Sequence, residues 1–242
     1  MNVGLKVEID VDRNKVSASR SEKLLGVVCN DKLTWKNHLY GDNENSGLIG
    51  VFKTLRKYLQ NDRFAQVVSG IFTSKLLYCI NVWTAVWNIP GQQNEAKVSI
   101  SKADINKLQV LQNKTLRLIT NLDIYTSTSD LLRAAKSLSV HQLGAFHTLV
   151  QVFKIHKTRK PAYHYQRLFQ REMTQENQIT MRSYGNLQSR VDFKLSTGRS
   201  SFFYHGSQLW TALPINIKSL NSVNQFKTKC KEWVQTNIKI KP

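Results

Sequence analysis

Hydrophobic and polar positions change period along the 242-residue chain, first that of strands and then that of helices. From Leu5 to Asp12 apolar residues (Leu5, Val7, Ile9, Val11) alternate with Lys6, Glu8, Asp10 and Asp12, as in a half-buried strand. Asp12-Arg13-Asn14-Lys15 supplies turn residues, and Val16 to Ser19 reads as a returning strand. A third run, Lys23 to Cys29, is apolar on both faces and predicts a more buried strand. Gly26 within it reads as a strand-end kink or a close backbone approach.

From Leu48 the period is helical. Leu48, Val51, Phe52, Leu55 and Leu59 form one stripe, with Lys53, Arg56 and Lys57 opposite. Asn61 or Asp62 is a candidate cap for a second helix whose inward residues are Phe64, Val67, Val68, Ile71, Phe72, Leu76, Ile80, Trp83 and Trp87; Pro90-Gly91 breaks it. Ser101 caps a third helix, with Ile105, Leu108, Leu111, Thr115 and Leu118 inward. Ser139-Val140-His141-Gln142 has capping-box spacing and opens a fourth helix through about Lys157, with Pro161 just beyond. Residues 170–200 are polar and read as a linker. A helix around Ser201–Ala212, a stop at Leu213-Pro214 and a last helix from about Ser222 follow, the last lined by Val223, Phe226, Cys230, Trp233 and Val234. The expectation is an α+β chain, a small N-terminal antiparallel sheet followed by a mostly helical region, divided at 1–47, 48–170 and 171–242.

Charge changes this picture. The chain carries 35 Lys and Arg against 16 Asp and Glu, a formal net charge of +19. Residues 1–47 hold seven of each sign, so the whole excess lies after residue 47, with +8 in 103–171 alone. Such a field attracts polyanions and speeds their encounter. A solubilising surface is the plain alternative, but solubility is usually met with mixed charge of magnitude about 2–8. Acidic lipid fits less well, since there is no basic amphipathic terminal helix and no lipidation signal. No apolar window long enough to span a membrane occurs, and the alternating N-terminus is unlike a secretion signal. Cys29, Cys79 and Cys230 are too few and too far apart for a disulfide framework or a zinc site. A soluble intracellular protein, nuclear or cytoplasmic, with no membrane partner is expected.

Catalytic patterns are missing. Two-metal polymerase or nuclease chemistry needs converging carboxylates, and no two acidic residues are adjacent in the chain. Glu8, Asp10 and Asp12 share one strand face, as a solvated face would also have them. The six His include no HExxH, and His141 and His147 are six apart, off a common helical face. There is no Gly-rich phosphate loop and no GxSxG. No catalytic residue, metal ligand or cofactor is assigned.

Three stretches bring in a resemblance. Lys23-Leu24-Leu25-Gly26-Val27 followed by Asp31-Lys32-Leu33-Thr34-Trp35-Lys36-Asn37-His38-Leu39 is one. Leu108-Gln109-Val110-Leu111-Gln112-Asn113-Lys114-Thr115-Leu116-Arg117-Leu118-Ile119, preceded by Tyr78 and Trp83, is the second. Leu209-Trp210-Thr211-Ala212-Leu213-Pro214 with Phe226-Lys227 is the third. In this order they resemble the region after the palm of jockey-like non-LTR (LINE-type) retrotransposon reverse transcriptases. The resemblance runs from about residue 20 to the end. It implies primer-grip, thumb and C-terminal segments that hold primer and template by their backbones, with Leu25 and Gly26 at the primer-grip position. It implies a catalytically incomplete fragment, because fingers, palm and the paired catalytic Asp have no counterpart; those missing parts are possible partners. Two departures stand out. Tyr40 to Gly47 replaces a continuous helix of the family with two Gly and a polar run, disfavouring helix by about 1 kcal/mol per Gly, and Thr211 stands where the family has Asn.

Lys107, Lys114 and Arg117 fall near one helical face, a phosphate-tracking ridge or an ordinary solvated face. The resemblance favours phosphate. Lys154, Lys157, Arg159 and Lys160, with His156 and then Arg167 and Arg171, form the densest basic cluster. It reads as an RNA or DNA backbone contact, against a solvated helix end or a nuclear import signal. Trp83, Trp87, Trp210 and Trp233 sit at helical spacing with aliphatic residues, so core packing is preferred over base stacking. Two function classes remain: a non-specific nucleic-acid binder without catalysis, or a basic helical interaction module or ribonucleoprotein component with no nucleic-acid readout of its own.

Overall fold

The computed structural model describes residues 8–11, 14–17, 19–32, 35, 37–38, 44–84, 89, 100–169, 198 and 201–239. Leu5 and Val7, Asp12 and Arg13, the Leu33-Thr34 and Tyr40–Asn43 stretches, Trp87, the Pro90-Gly91 break, Arg171 and most of the 170–200 stretch lie outside these. The chain is α+β, with small antiparallel strand pairs first and helices after them. It divides into two compact units, Met1–Asp42 and Asn43–Pro242.

In the first unit β1 (Glu8–Val11) pairs with β2 (Asn14–Ser17), and β3 (Ser21–Leu24) with β4 (Val27–Asn30), both antiparallel. The continuous buried strand expected over Lys23–Cys29 is therefore folded in two. Leu24 stands opposite Val27, and the two-residue turn between them has φ 48° at Leu25 and 82° at Gly26. Positive φ at both central positions is the turn whose twist matches a tight hairpin, and Gly26 adopts it without a Cβ clash. Leu24 and Leu25 are exposed, and Val27 is the buried residue of the pair of strands.

The second unit begins with α1 (Glu44–Leu55), which starts earlier than expected and runs through Gly47 and Gly50. Phe52, not Val51, carries its buried side; Phe52 meets Phe64 edge-on at 6.3 Å, while Val51 is exposed. The long second helix expected from Asn61 is segmented into α2 (Asn61–Val68), a π-helical turn at Ser69–Thr73, α3 (Ser74–Leu77) and α4 (Ile80–Trp83). Cys79 is left-handed at φ 51°, and the Trp83 indole N–H donates to the Tyr78 carbonyl at 2.9 Å, satisfying an acceptor that the break exposes. The residue before α2 is Gln60, with no side-chain cap; Asn61 instead accepts from the Arg56 guanidinium.

The helices α5 (Lys102–Thr120), α6 (Thr128–Ala134) and α7 (Val140–Thr158) each start at a serine whose hydroxyl accepts the N3 amide: Ser101, Ser127 and Ser139. At Ser139 the full capping box with Gln142 is present. Then come α8 (Ala162–Phe169), α9 (Phe202–Ala212), α10 (Ile215–Lys218) and α11 (Val223–Asn237).

The main core is built around α7. Ala145, Leu149, Val152 and Phe153 meet Leu168 of α8, Leu209 and Trp210 of α9, and Phe226, Cys230 and Val234 of α11. Phe153 stacks on Phe226 at 4.0 Å between ring centroids, and Trp210 lies 6.2 Å from the same ring. The Gln142 amide donates to the Ile238 carbonyl at 2.9 Å, tying the start of α7 to the end of α11. Helices beyond residue 200 thus share one core with α7. Trp83, Trp210 and Trp233 are all buried, as their spacing with aliphatic residues predicts.

The approach of α7 to the end of α4 is close. A Cβ on Gly144 would lie 2.3 Å from Thr84 Cγ2, inside a buried contact. Gly144→Ala is expected to cost about 1–3 kcal/mol from overpacking, read as a lower urea midpoint. In a Thr84→Ala background the cost should shrink, because the clashing methyl is gone; an equal cost in both backgrounds would show that this contact is not its cause.

Candidate nucleic-acid interface

Two polar systems meet on α5, and only one of them faces solvent. The inner one is made of Gln109, Gln112 and Asn113, the polar residues of the Leu-Gln-Asn stretch. Gln109 Nε2 donates to Gln112 Oε1 at 2.8 Å and to Asn113 Oδ1 at 2.9 Å, while its Oε1 accepts the Val140 amide at 2.9 Å. Gln112 donates to the Leu138 carbonyl and Asn113 to Thr128 Oγ1, each at 2.9 Å. Gln109 therefore caps an orphan N–H in the first turn of α7 from another helix. Gln112 and Asn113 are buried, and their amides fasten α5 to the starts of α6 and α7.

Outside this network Lys107 and Lys114 are exposed on α5, as the phosphate-ridge reading requires. Arg117 departs from it. Its guanidinium donates to the carbonyls of Asp123, at 3.3 Å, and Thr126, at 3.0 Å, and so holds the loop that follows α5. Arg56, expected on a solvated face, is likewise half-buried and donates to the Leu118 carbonyl at 2.9 Å. A guanidinium that satisfies main-chain carbonyls at a helix C-terminus is held by the dipole and by these bonds, which leaves it poorly placed to track phosphate.

The second cluster stands at the C-terminal end of α7. Lys154, Lys157, Arg159 and Lys160 are all exposed. Lys157 Nζ donates to Asn221 Oδ1 at 3.0 Å and lies 5.5 Å from the Phe153 ring centroid. Arg159 is the left-handed C-cap residue, φ 55°, with its guanidinium 5.8 Å from the Tyr165 ring. Cations at this end of a helix are also favoured by its dipole. Arg167 of α8 extends the cluster, donating to Tyr163 Oη at 2.7 Å and lying 5.0 Å from the Phe203 ring.

Lys227 was not singled out as a contact residue by the sequence, and the fold brings it in. Burial first, then Lys227 of α11 and Lys154 of α7 hold the His147 imidazole below its ordinary pKa. Burial first, then Lys157 and Arg159 do the same to His156. Lys154 and Lys227 therefore stand near one imidazole although they lie on different helices. Lys227 follows Phe226, which faces the core one position earlier; that placement is the signal that pointed it outward. Nineteen residues of α7 span about 28 Å. Gln109 anchors α5 at the N-terminal end of this span, and the Lys154–Lys160 cluster occupies the other.

Leu25 and Gly26, the primer-grip-like pair, form the hairpin tip described above, with Leu25 fully presented to solvent. Of the Glu8, Asp10 and Asp12 face, Asp12 lies outside the described residues. Among the described residues no group of three or more His, Cys, Asp and Glu side chains is arranged to hold a metal ion. No described helix is long and apolar enough to cross a membrane. Cys230 lies in the core, its thiol pushed up to about 12 by burial. Comparison with family models, with curated proteins and with solved structures finds no match, so the functional reading rests on the residues and their placement.

Proposed function

We propose that this chain holds RNA or DNA by its sugar–phosphate backbone, without reading sequence and without catalysis of its own, as the post-palm part of a jockey-like reverse transcriptase would. The observation that carries the reading is the charge asymmetry between the two units. Residues 1–42 hold seven basic and six acidic side chains, and residues 43–242 hold 28 basic and ten acidic. Within the second unit, three of the described acidic side chains are used locally. Asp104 accepts from the Ser101 cap, Asp130 pairs with Arg133 at 2.9 Å, and Glu232 pairs with Lys229 at 3.0 Å. Exposed Lys114, Lys154, Lys160 and Lys227 are left as a positive surface, the sequence-independent term that dominates backbone binding. The three motif stretches in family order support the reverse-transcriptase assignment.

The triple variant Lys154→Ala, Lys160→Ala, Lys227→Ala tests this, because none of the three side chains caps a helix or fills the core. Affinity should fall equally for two hairpins of unrelated sequence, and the slope of log affinity against log salt should flatten by about 0.9 per lost duplex contact. Arg117→Ala, in contrast, should leave the duplex slope unchanged while amide exchange in 121–127 quickens. Loss confined to one hairpin, or no change in either, would contradict the reading.

A further inference from the structure

The loop between α5 and α6 displays apolar side chains that the core does not use. Tyr125 is 93% exposed, the most exposed large apolar residue among the described residues, and Ile124 beside it is 72% exposed. The loop is held from within. Besides the two Arg117 bonds, Asp123 Oδ1 accepts the Tyr125 amide at 2.8 Å, and the Thr126 amide donates to the Asp123 carbonyl at 3.2 Å. An aromatic ring held in water at the tip of a bonded loop keeps its apolar surface hydrated and gains no core contact.

What surrounds the ring selects its partner. The Arg117 guanidinium is bonded to the loop's own backbone, Arg56 is bonded to Leu118 near the end of the same helix, and exposed Lys114 lies one turn back. Of the two nearby carboxylates, Asp130 is paired with Arg133, and Asp123 keeps its charge while accepting the Tyr125 amide. An aromatic face where Lys114, Arg56 and Arg117 outnumber Asp123 matches an unpaired nucleobase attached to its phosphates, since every base has a π-face and the net positive charge supplies the field for the backbone. A purely apolar protein surface would gain nothing from those cations.

We propose that Tyr125, with Ile124 beside it, is a stacking platform for an unpaired base of single-stranded RNA or DNA, set at the end of the α5 basic face. The proposal rests on the nucleic-acid reading above and adds single-strand preference to it. The role of Arg117 is then to position the platform.

Fluorescence anisotropy with labelled oligo(U), oligo(dT) and a duplex, using the full chain, tests it. Tyr125→Ala should weaken both single strands by about five-fold or more, leave the duplex within about two-fold, and leave the salt slope unchanged. Tyr125→Phe should keep single-strand affinity, because the ring and not the hydroxyl makes the contact. If Tyr125→Ala binds single strands like the parent, while the parent keeps its salt dependence, the platform is wrong and backbone binding stands. Equal loss on single strands and duplex, or loss in the Phe variant matching that in Ala, also overturns it. If the parent binds neither single strands nor duplex at low salt, both readings fall. Comparing oligo(U) with oligo(dT) assigns the sugar.

Discussion

Taking the protein from neutral pH to about pH 5 is expected to remove several kcal/mol of stability from the helical unit, through two histidines. His141 in the first turn of α7 and His205 on α9 are 6% and 2% exposed. Neither ring nitrogen of His205 has a hydrogen-bond partner among the described residues. Burial lowers both side chains to about 4, and for His141 the neighbouring His205 adds to the effect. Both imidazoles are therefore neutral in the fold and take up protons only when it opens. The unfolded chain, with ordinary histidine values near 6.5, binds more protons than the folded one below that pH. Stability is then complete above about pH 6.5, and falls as pH drops toward 4, by about 2 kcal/mol per histidine at pH 5 and about 3 at full effect. Against a total of roughly 5–15 kcal/mol this loss is large. His147 and His156 are shifted in the same direction and add to it. Urea midpoints at neutral and mildly acid pH check the prediction. His205→Leu should flatten the dependence and, by removing an unpartnered polar ring, leave stability at neutral pH equal or higher. Midpoints that match at both pH values in the parent would mean the two rings are hydrated in solution.

Local signals carried much of the fold. The serines at 101 and 139 announce helix starts because the hydroxyl–amide bond is made within four residues, and both caps form. The same signal, Ser127 followed by Asp130, marks the start of the short helix α6, which periodicity alone did not reveal. The aromatic and aliphatic stripe of α11 packs where its spacing placed it. What stayed hidden depends on contacts between distant residues or on backbone turns. Lys23 to Cys29 has the composition of a strand, and only the pairing of Leu24 with Val27 shows that it reverses at Leu25-Gly26. The break at Tyr78-Cys79 carries no Gly or Pro, and is satisfied by an indole five residues away.

The site shows the same division. Exposed lysines on α5 and at the end of α7 were legible, since long cations opposite an apolar stripe face solvent. The fates of Arg56 and Arg117 were not, because each ends on a carbonyl that only the folded chain places within reach. Gln109, Gln112 and Asn113 of α5 lie in the stretch that resembles the family, and their physical use is an amide network in which Gln109 caps α7. Lys227 joined the cluster through the packing of α11 on α7.

Nucleic-acid binding should be strongly salt-dependent, and this is the second large effect. Each phosphate neutralised by Lys or Arg releases condensed counterions, so log affinity falls by about 0.9 per duplex contact, or about 0.7 on single strands, for each decade of salt. Four contacts, which Lys114, Lys154, Lys160 and Lys227 would supply, weaken duplex binding by roughly two orders of magnitude for a four-fold rise in salt. Affinity at one salt concentration does not separate backbone binding from an apolar protein-like contact; the slope does. The direct measurement is a salt titration of the full chain on two hairpins of unrelated sequence. Two parallel lines with slopes near −3.6 are predicted, and flat lines, or a slope on one hairpin only, would contradict backbone binding.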